Sequence, residues 1–453
     1  MDPLTITELA ELAGAEILRG PESVRVSRIS KDTRTLQTGD LYWSLRGGKF
    51  DGNVFAADAV AKGAAAVLVD DPEAAAGLDV PVLRVSDGLE ALTRLARGWR
   101  QRLNLRVLAI TGSNGKTSTK QFAAAVLASR YEVTKTEGNL NNHIGVPLSI
   151  LAANSSHSAA VWEVAMNHPG EIAPLADLAR PEAAIITGIG VAHIEYMKTR
   201  EAIALEKGML AEAIPSTGVV VLSADCDMSE SIARRTKARV VLAGLDGGSL
   251  QASQFEESED GLRFVITRDG RSYPASIPAN GTHMARNAVL ALVAGIELGV
   301  DIEAGIAALA TAPLAGGRLE RKVIQGVVFI DDTYNANPDS MEAALVTLRG
   351  FPGNGRRIAV LGAMGELGDY AAEGCRRVGT TAGGLVDILV TVGAAAAPIA
   401  AAARDAGLGR IHEVDDTASA ALMLRNLARP GDIVLVKGSR SARMEGVIHH
   451  YQT

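Results

Sequence analysis

The run Thr111-Gly112-Ser113-Asn114-Gly115-Lys116-Thr117-Ser118 sets two glycines, a lysine and four hydroxyl side chains within eight residues. That combination suits the holding of nucleotide phosphates. Gly112 and Gly115 let backbone N–H groups approach phosphate oxygens, with Ser113, Asn114 and Ser118 completing the loop. Lys116 supplies a point charge for the outer phosphates, and the Thr117 hydroxyl can ligate Mg²⁺. The loop is shorter than G-x-x-x-x-G-K-[ST], which requires Gly at position 110, where Ile110 stands. The competing interpretation is an ordinary strand-to-helix turn with a solvated lysine.

Such a loop needs a strand before it and a helix after it. Leu105 to Ile110 reads as a buried strand, and Gln121 to Leu127 as a helix start. Farther on, Glu163 sits late in the strand Ala159 to Val164, and His193 follows the strand Ala183 to Thr187. A carboxylate and an imidazole can both ligate a metal near phosphates. Taken singly, Glu163 is as compatible with a strand-end ion pair, and His193 with a satisfied or exposed histidine. Lys207, in the helical stretch Arg200 to Ala213, reads from composition as a solvated helix lysine. Asp331-Asp332 ends another strand, and aspartate there can hold a ribose hydroxyl or simply start a turn.

Strands alternate with helices along most of the 453 residues, which implies an α/β fold built on mainly parallel sheets. Composition breaks divide the chain into residues 1–100, 101–312 and 313–453. The second boundary falls at the small, flexible run Ala312-Pro313-Leu314-Ala315-Gly316-Gly317. The last part, with strands near 327–331, 357–361, 387–391 and 432–436, reads as a Rossmann-like domain. Apolar residues make up 47% of the chain and the net charge is −7, so several cores are affordable and no nucleic-acid partner is expected. Cys226 and Cys375 have no paired spacing, which fits a reducing compartment and neither zinc nor a disulfide framework. With no signal-like start and no spanning apolar run, the expectation is a cytoplasmic protein without stable membrane insertion.

Several segments together resemble the ATP-dependent Mur ligase family, which builds the peptide of the peptidoglycan precursor. These are the phosphate loop, Glu137-Gly138-Asn139-Leu140-Asn141-Asn142-His143-Ile144-Gly145-Val146-Pro147, and Glu163-Val164-Ala165-Met166-Asn167-His168-Pro169-Gly170-Glu171-Ile172. They also include Asp331-Asp332-Thr333-Tyr334-Asn335-Ala336-Asn337-Pro338, Leu361 to Gly368 and Val436-Lys437-Gly438-Ser439-Arg440-Ser441. Ser30-Lys31-Asp32-Thr33-Arg34, Gly39-Asp40-Leu41 and Asp51-Gly52-Asn53 are similar to the family's UDP-sugar domain. The resemblance covers nearly the whole chain and favours the member that adds D-alanyl-D-alanine.

The resemblance implies three domains: an N-terminal UDP-sugar-binding domain, a central ATP-binding parallel sheet and a Rossmann-like C-terminal domain. It implies ATP and Mg²⁺ as cofactors. Lys116 and Thr117 would hold the γ-phosphate and Mg²⁺; Glu163 and His193 fall on metal-ligand positions. Lys207 falls on the lysine that the family carbamylates, which would make it a further metal ligand. His283 and Asn287 fall on the adenine segment, where Met284 replaces the family's usual Asn. Arg318 matches an arginine that reaches the phosphates on closure, Asp332 the ribose-binding aspartate, and Asn335 lies in the same loop. Ser30 and Asn139 fall where the UDP-sugar peptide is gripped. The expected partners are UDP-N-acetylmuramoyl-tripeptide and D-alanyl-D-alanine, on a monomer whose C-terminal domain rotates at Gly316-Gly317. Sister ligases and folylpolyglutamate synthases carry His-containing segments at the last-domain aspartate, unlike D-D-T-Y-N-A-N-P. A P-loop ATPase doing conformational work would not need the sugar-domain motifs. A non-catalytic nucleotide-binding regulator would not need the full metal set.

Overall fold

Apolar runs with near-continuous burial become central parallel strands, and this chain has many: Ala66–Val69, Ala159–Glu163, Ala183–Ile186, Val219–Ser223, Arg357–Leu361, Ile388–Val392 and Ile433–Lys437 are buried at every residue. The computed structural model describes residues 1–48 and 50–453 and divides into two compact units. One comprises Met1–Ala109, Tyr131–Ala165 and Ala173–Pro181; the other comprises Ile110–Arg130, Met166–Ile172 and Glu182–Thr453.

The first unit holds a five-stranded sheet in the order Glu16–Arg19, Val82–Arg84, Ala66–Val69, Leu41–Trp43 and Ile29–Ser30. Only the Glu16–Arg19 pairing is antiparallel. The same unit contains the parallel pair Val133–Lys135 and Ala159–Glu163 and the start of the strand Arg106–Thr111. The long helix Gly88–Arg102 is capped by Asp87, whose carboxylate accepts from two first-turn N–H groups.

In the second unit the strand Arg106–Thr111 ends, and the Thr111 carbonyl accepts from the Thr187 N–H at 3.0 Å. Beyond it run Ala183–Ile186, Val219–Ser223 and Arg239–Ala243, all parallel. An antiparallel meander, Gln251–Ser258, Gly261–Arg268 and Arg271–Ile277, interrupts the expected βα alternation. Both of its turns have two residues, and at Asp269-Gly270 φ is 50° and 74°, the pair of left-handed residues of a type I′ turn.

The last sheet runs Glu320–Ile324, Val327–Asp332, Ile433–Lys437, Arg357–Leu361, Ile388–Val392, Ile411–Val414. Its first pair is antiparallel and the others parallel. Neighbouring residues face opposite cores: Ile330, Ala359 and Leu435 one way, Phe329, Ile358 and Val434 the other. Helices therefore cover both faces, and chemistry is left to the carboxyl ends of the strands.

Candidate nucleotide and metal site

The phosphate-loop helix, Lys116–Ala128, starts five residues before the expected Gln121. Gly115, at φ 80°, turns the chain into it without a side-chain cap. Unsatisfied N–H groups at such a helix start and the positive end of its dipole favour an anion. Both glycines are needed for space as well as conformation. A Cβ on Gly112, at φ 147°, would stand 1.9 Å from Thr187 Oγ1, and one on Gly115 would stand 2.6 Å from the Asn287 amide oxygen. Asn287 reaches the loop because its helix, Thr282–Glu297, packs closely on the phosphate-loop helix. A Cβ on Gly295 would collide with Val126. Met284 is buried on the same helix, its sulfur 3.9 Å from the Asn287 amide nitrogen.

Other segments of this unit shape the loop. The Ser113 N–H donates to Gly188 O at 2.9 Å, and Thr187 Oγ1 donates to Asn114 O. Lys116 Nζ folds back on Gly112 O at 2.8 Å. Ser118 is buried in the first turn. Arg318 donates to Thr117 Oγ1 at 3.0 Å, while its guanidinium lies 4.1 Å from the Tyr334 ring centre. Asn337 caps the helix Pro338–Gly350 and donates from its amide to Asn114 Oδ1 at 2.8 Å. Asp339, next on that helix, accepts from the Val191 N–H at 2.9 Å.

Asp332, at the end of its strand, is paired with the buried Lys437 Nζ at 2.6 Å, and Lys437 also donates to Asn335 O at 2.9 Å. Burial pushes the His283 imidazole down to about 4, the Asp332 charge opposing that shift and Arg286 and Lys437 adding to it. A neutral ring beside an aspartate is a hydrogen-bonding platform for a polar ligand.

Lys207 differs from its compositional expectation. It is fully buried, and its Nζ has no hydrogen-bond partner among the described residues. Burial holds its pKa well below the ordinary ammonium range, the Lys116 charge lowers it further and Glu206 opposes. A helix lysine reads as solvated because sequence shows its neighbours and not what packs over it. Glu206 itself accepts from the Gly170 and Ile172 N–H groups, both at 2.8 Å, and so shapes the Asn167-His168 loop. His193 has φ 64° and lies with Nδ1 2.5 Å from Glu366 Oε2.

Among the described residues no group of three His, Cys, Asp or Glu side chains stands ready to hold a metal alone. That donor set still fits Mg²⁺, which is held by one or two protein oxygens together with water and substrate phosphates. The Thr117 hydroxyl lies at the phosphate loop, and the partnerless Lys207 Nζ lies buried in the same unit.

In the first unit, buried Glu163 accepts from the Asn141 amide at 2.7 Å, and its N–H donates to Thr136 Oγ1. Asn139 is exposed, two residues before Asn141. Gly145 is required just beyond, since a Cβ would meet the Leu140 backbone at 2.2 Å. Ser30 is buried and donates to Asp32 O at 3.0 Å. The roles of Asn337, Asp339, Glu366, Lys437 and Glu206 escaped the sequence reading. The one available signal was a lysine ending an apolar strand, Ile433 to Lys437.

Family models match in three places: the Mur ligase family catalytic domain at residues 25–100, the Mur ligase middle domain at 110–295, and the Mur ligase glutamate ligase domain at 317–440. The chain is 34% identical over 448 residues to the UDP-N-acetylmuramoyl-tripeptide--D-alanyl-D-alanine ligase of Bacillus subtilis, covering 98% of this chain and 97% of that one. Its structure is similar to that of MurF from Acinetobacter baumannii, with a TM-score of 0.89, 32% identity and coverage of 100% and 99%. It is also similar to the MurF ligase of Thermotoga maritima solved in complex with ADP, with a TM-score of 0.81, 27% identity and coverage of 94% and 97%. No helix among the described residues is long and apolar enough to cross a membrane.

Proposed function

The chain belongs to the Mur ligase family, and on that premise we propose that it joins D-alanyl-D-alanine to UDP-N-acetylmuramoyl-tripeptide, cleaving ATP to ADP and phosphate. The observation that carries this reading is the full-length similarity to relatives bearing one activity's name. The chemistry requires that a carboxylate be made electrophilic. The γ-phosphoryl group passes to the tripeptide carboxylate, ADP leaves, and an acyl phosphate results. The dipeptide amine then attacks the acyl carbon, losing a proton as phosphate departs. Lys116 and the N–H groups of the phosphate loop stabilise the charge gathered on the transferred group. Mg²⁺, held by Thr117 and by the family positions Glu163, His193 and a carbamylated Lys207, would supply further positive charge there. A buried amine whose pKa is held well below the ordinary ammonium range supports the carbamate assignment, since only an unprotonated amine attacks CO₂.

His283 and Asn287 bind the adenine side, Asp332 and Asn335 the ribose side, and Arg318 the phosphates. Ser30 and Asn139 grip the UDP-sugar peptide. The domains run 1–100, 101–312 and 313–453. The protein is a cytoplasmic monomer. Because an acyl phosphate hydrolyses in water, residues 313–453 turn at Gly316-Gly317 to cover it. Small-angle scattering without compaction on adding ATP analogue and tripeptide substrate would count against that motion. The activity is tested by ADP release with Mg²⁺, ATP and tripeptide substrate, with and without D-alanyl-D-alanine, the products being weighed. Release dependent on both acceptors, with a product heavier by the dipeptide less water, is expected. Release that ignores both would point to an ATPase doing conformational work.

A further inference from the structure

Glu366 lies in the loop between the strand Arg357–Leu361 and the turn Gly368–Tyr370, and the reading above gives it no task. Two contacts join this loop to the one carrying His193. Glu366 Oε2 stands 2.5 Å from His193 Nδ1, a close charge contact in which the ring N–H is not aligned as a hydrogen bond, and the Glu366 carbonyl accepts from the Glu195 N–H at 3.2 Å. Both Glu366 and His193 have left-handed backbones, with φ of 58° and 64°. For residues other than glycine such a conformation costs about 1–2 kcal/mol, so the surrounding structure must hold it. The result aims each side chain at the other. The His193 side chain is 16% exposed and its ring has little freedom to turn away. The pairing also joins segments matched by two different family models, residues 110–295 and 317–440.

An imidazole whose Nδ1 faces a carboxylate at this distance leaves Nε2 as the nitrogen that can bind a metal, and carboxylates commonly orient metal-binding histidines once the Nδ1–H is aligned on them. We propose that Glu366 is a positioning residue for His193, delivered by the C-terminal part of the chain, so that metal binding at His193 is completed when that part docks. The inference rests on the reading of His193 as a metal ligand.

The test uses the full chain with the β,γ-methylene analogue of ATP, which brings no nitrogen to the phosphates, and Mn²⁺. Nitrogen coupling to Mn²⁺ is read by electron spin-echo spectroscopy and Mn²⁺ affinity by titration. The wild-type protein should show ¹⁴N coupling that His193→Ala abolishes. Glu366→Ala should weaken Mn²⁺ binding by about 10–100-fold and reduce the coupling, with Glu366→Gln restoring part of both. Wild-type affinity and coupling in Glu366→Ala would overturn the proposal, whatever its melting temperature, as would a wild type without His193-dependent coupling. A protein that binds Mn²⁺ through His193 yet joins no dipeptide would overturn the ligase reading and leave this one standing.

Discussion

The loop after Thr111 and the loop after Asp332 both follow the carboxyl ends of parallel strands, and they are built by opposite means. The first is a backbone structure. Gly112 and Gly115 hold left-handed conformations, and neither leaves room for a Cβ. The second is a side-chain structure. Asp331 Oδ1 accepts from the Thr333 N–H and hydroxyl, Lys437 ties Asp332 to Asn335 O, and Asn337 caps the next helix. The backbone-built loop is encoded within eight residues, whereas the side-chain-built loop depends on a lysine 105 positions away. A motif search finds the first kind by itself; the second needs the folded sheet that brings Ile433–Lys437 beside Val327–Asp332.

The sharpest way to break this contrast is Lys437→Met, which keeps the stem and removes the charge. It leaves Asp332 mostly buried and unpaired, so the protein should lose about 3 kcal/mol by urea unfolding, and weaken for ATP as well. An unchanged midpoint would show that the second loop does not need its distant lysine. Gly115→Ala attacks the other loop, combining left-handed strain with the Asn287 clash. It should cost about 2–4 kcal/mol, with ADP release lost in parallel. A fully active Ala variant would remove the claim that this loop is backbone-built.

His283 tests the surroundings of the second loop, where the Asp332 and Lys437 charges act on its ring. Its folded pKa is lowered to about 4 from an ordinary 6.5. Between those values the unfolded chain binds the proton and the folded one does not. Its contribution is therefore fully present above pH 6.5 and is lost as pH falls to 4, by at most about 3 kcal/mol. His283→Gln should flatten the stability profile across that window, and an unaltered slope would assign it to other groups. The smallest effect is expected of Asn337→Ser. Serine keeps the helix cap and gives up the reach to Asn114, so KM for ATP should rise by about five-fold, the loss of one ordinary hydrogen bond, with stability nearly unchanged. A loss of stability equal to removing a cap would mean the residue acts only on its own helix.

Much of this was legible in the chain because its signals are local. The apolar runs, the glycines at 112 and 115 and the Asp-Asp strand end each follow from neighbours in sequence. The Asp269-Gly270 turn is equally local, and its hairpin went unread because the surrounding βα alternation dominated the pattern. Start of the phosphate-loop helix at Lys116 was missed for a related reason: a helix begun by a left-handed glycine carries no Ser, Thr or Asp cap to announce it.

By itself, then, the sequence determined the α/β class, the phosphate loop and, through its motifs, the family. Those properties depend on hydrophobic periodicity and on backbone conformations that only certain residues adopt. The tertiary structure decided that Lys207 is buried with an amine that has no hydrogen-bond partner among the described residues, that Arg318 and Asn337 reach the phosphate loop, and that Glu366 stands against His193. Burial and pairing are properties of what packs across long sequence separations, and a side chain's charge state follows from that packing rather than from its neighbours along the chain.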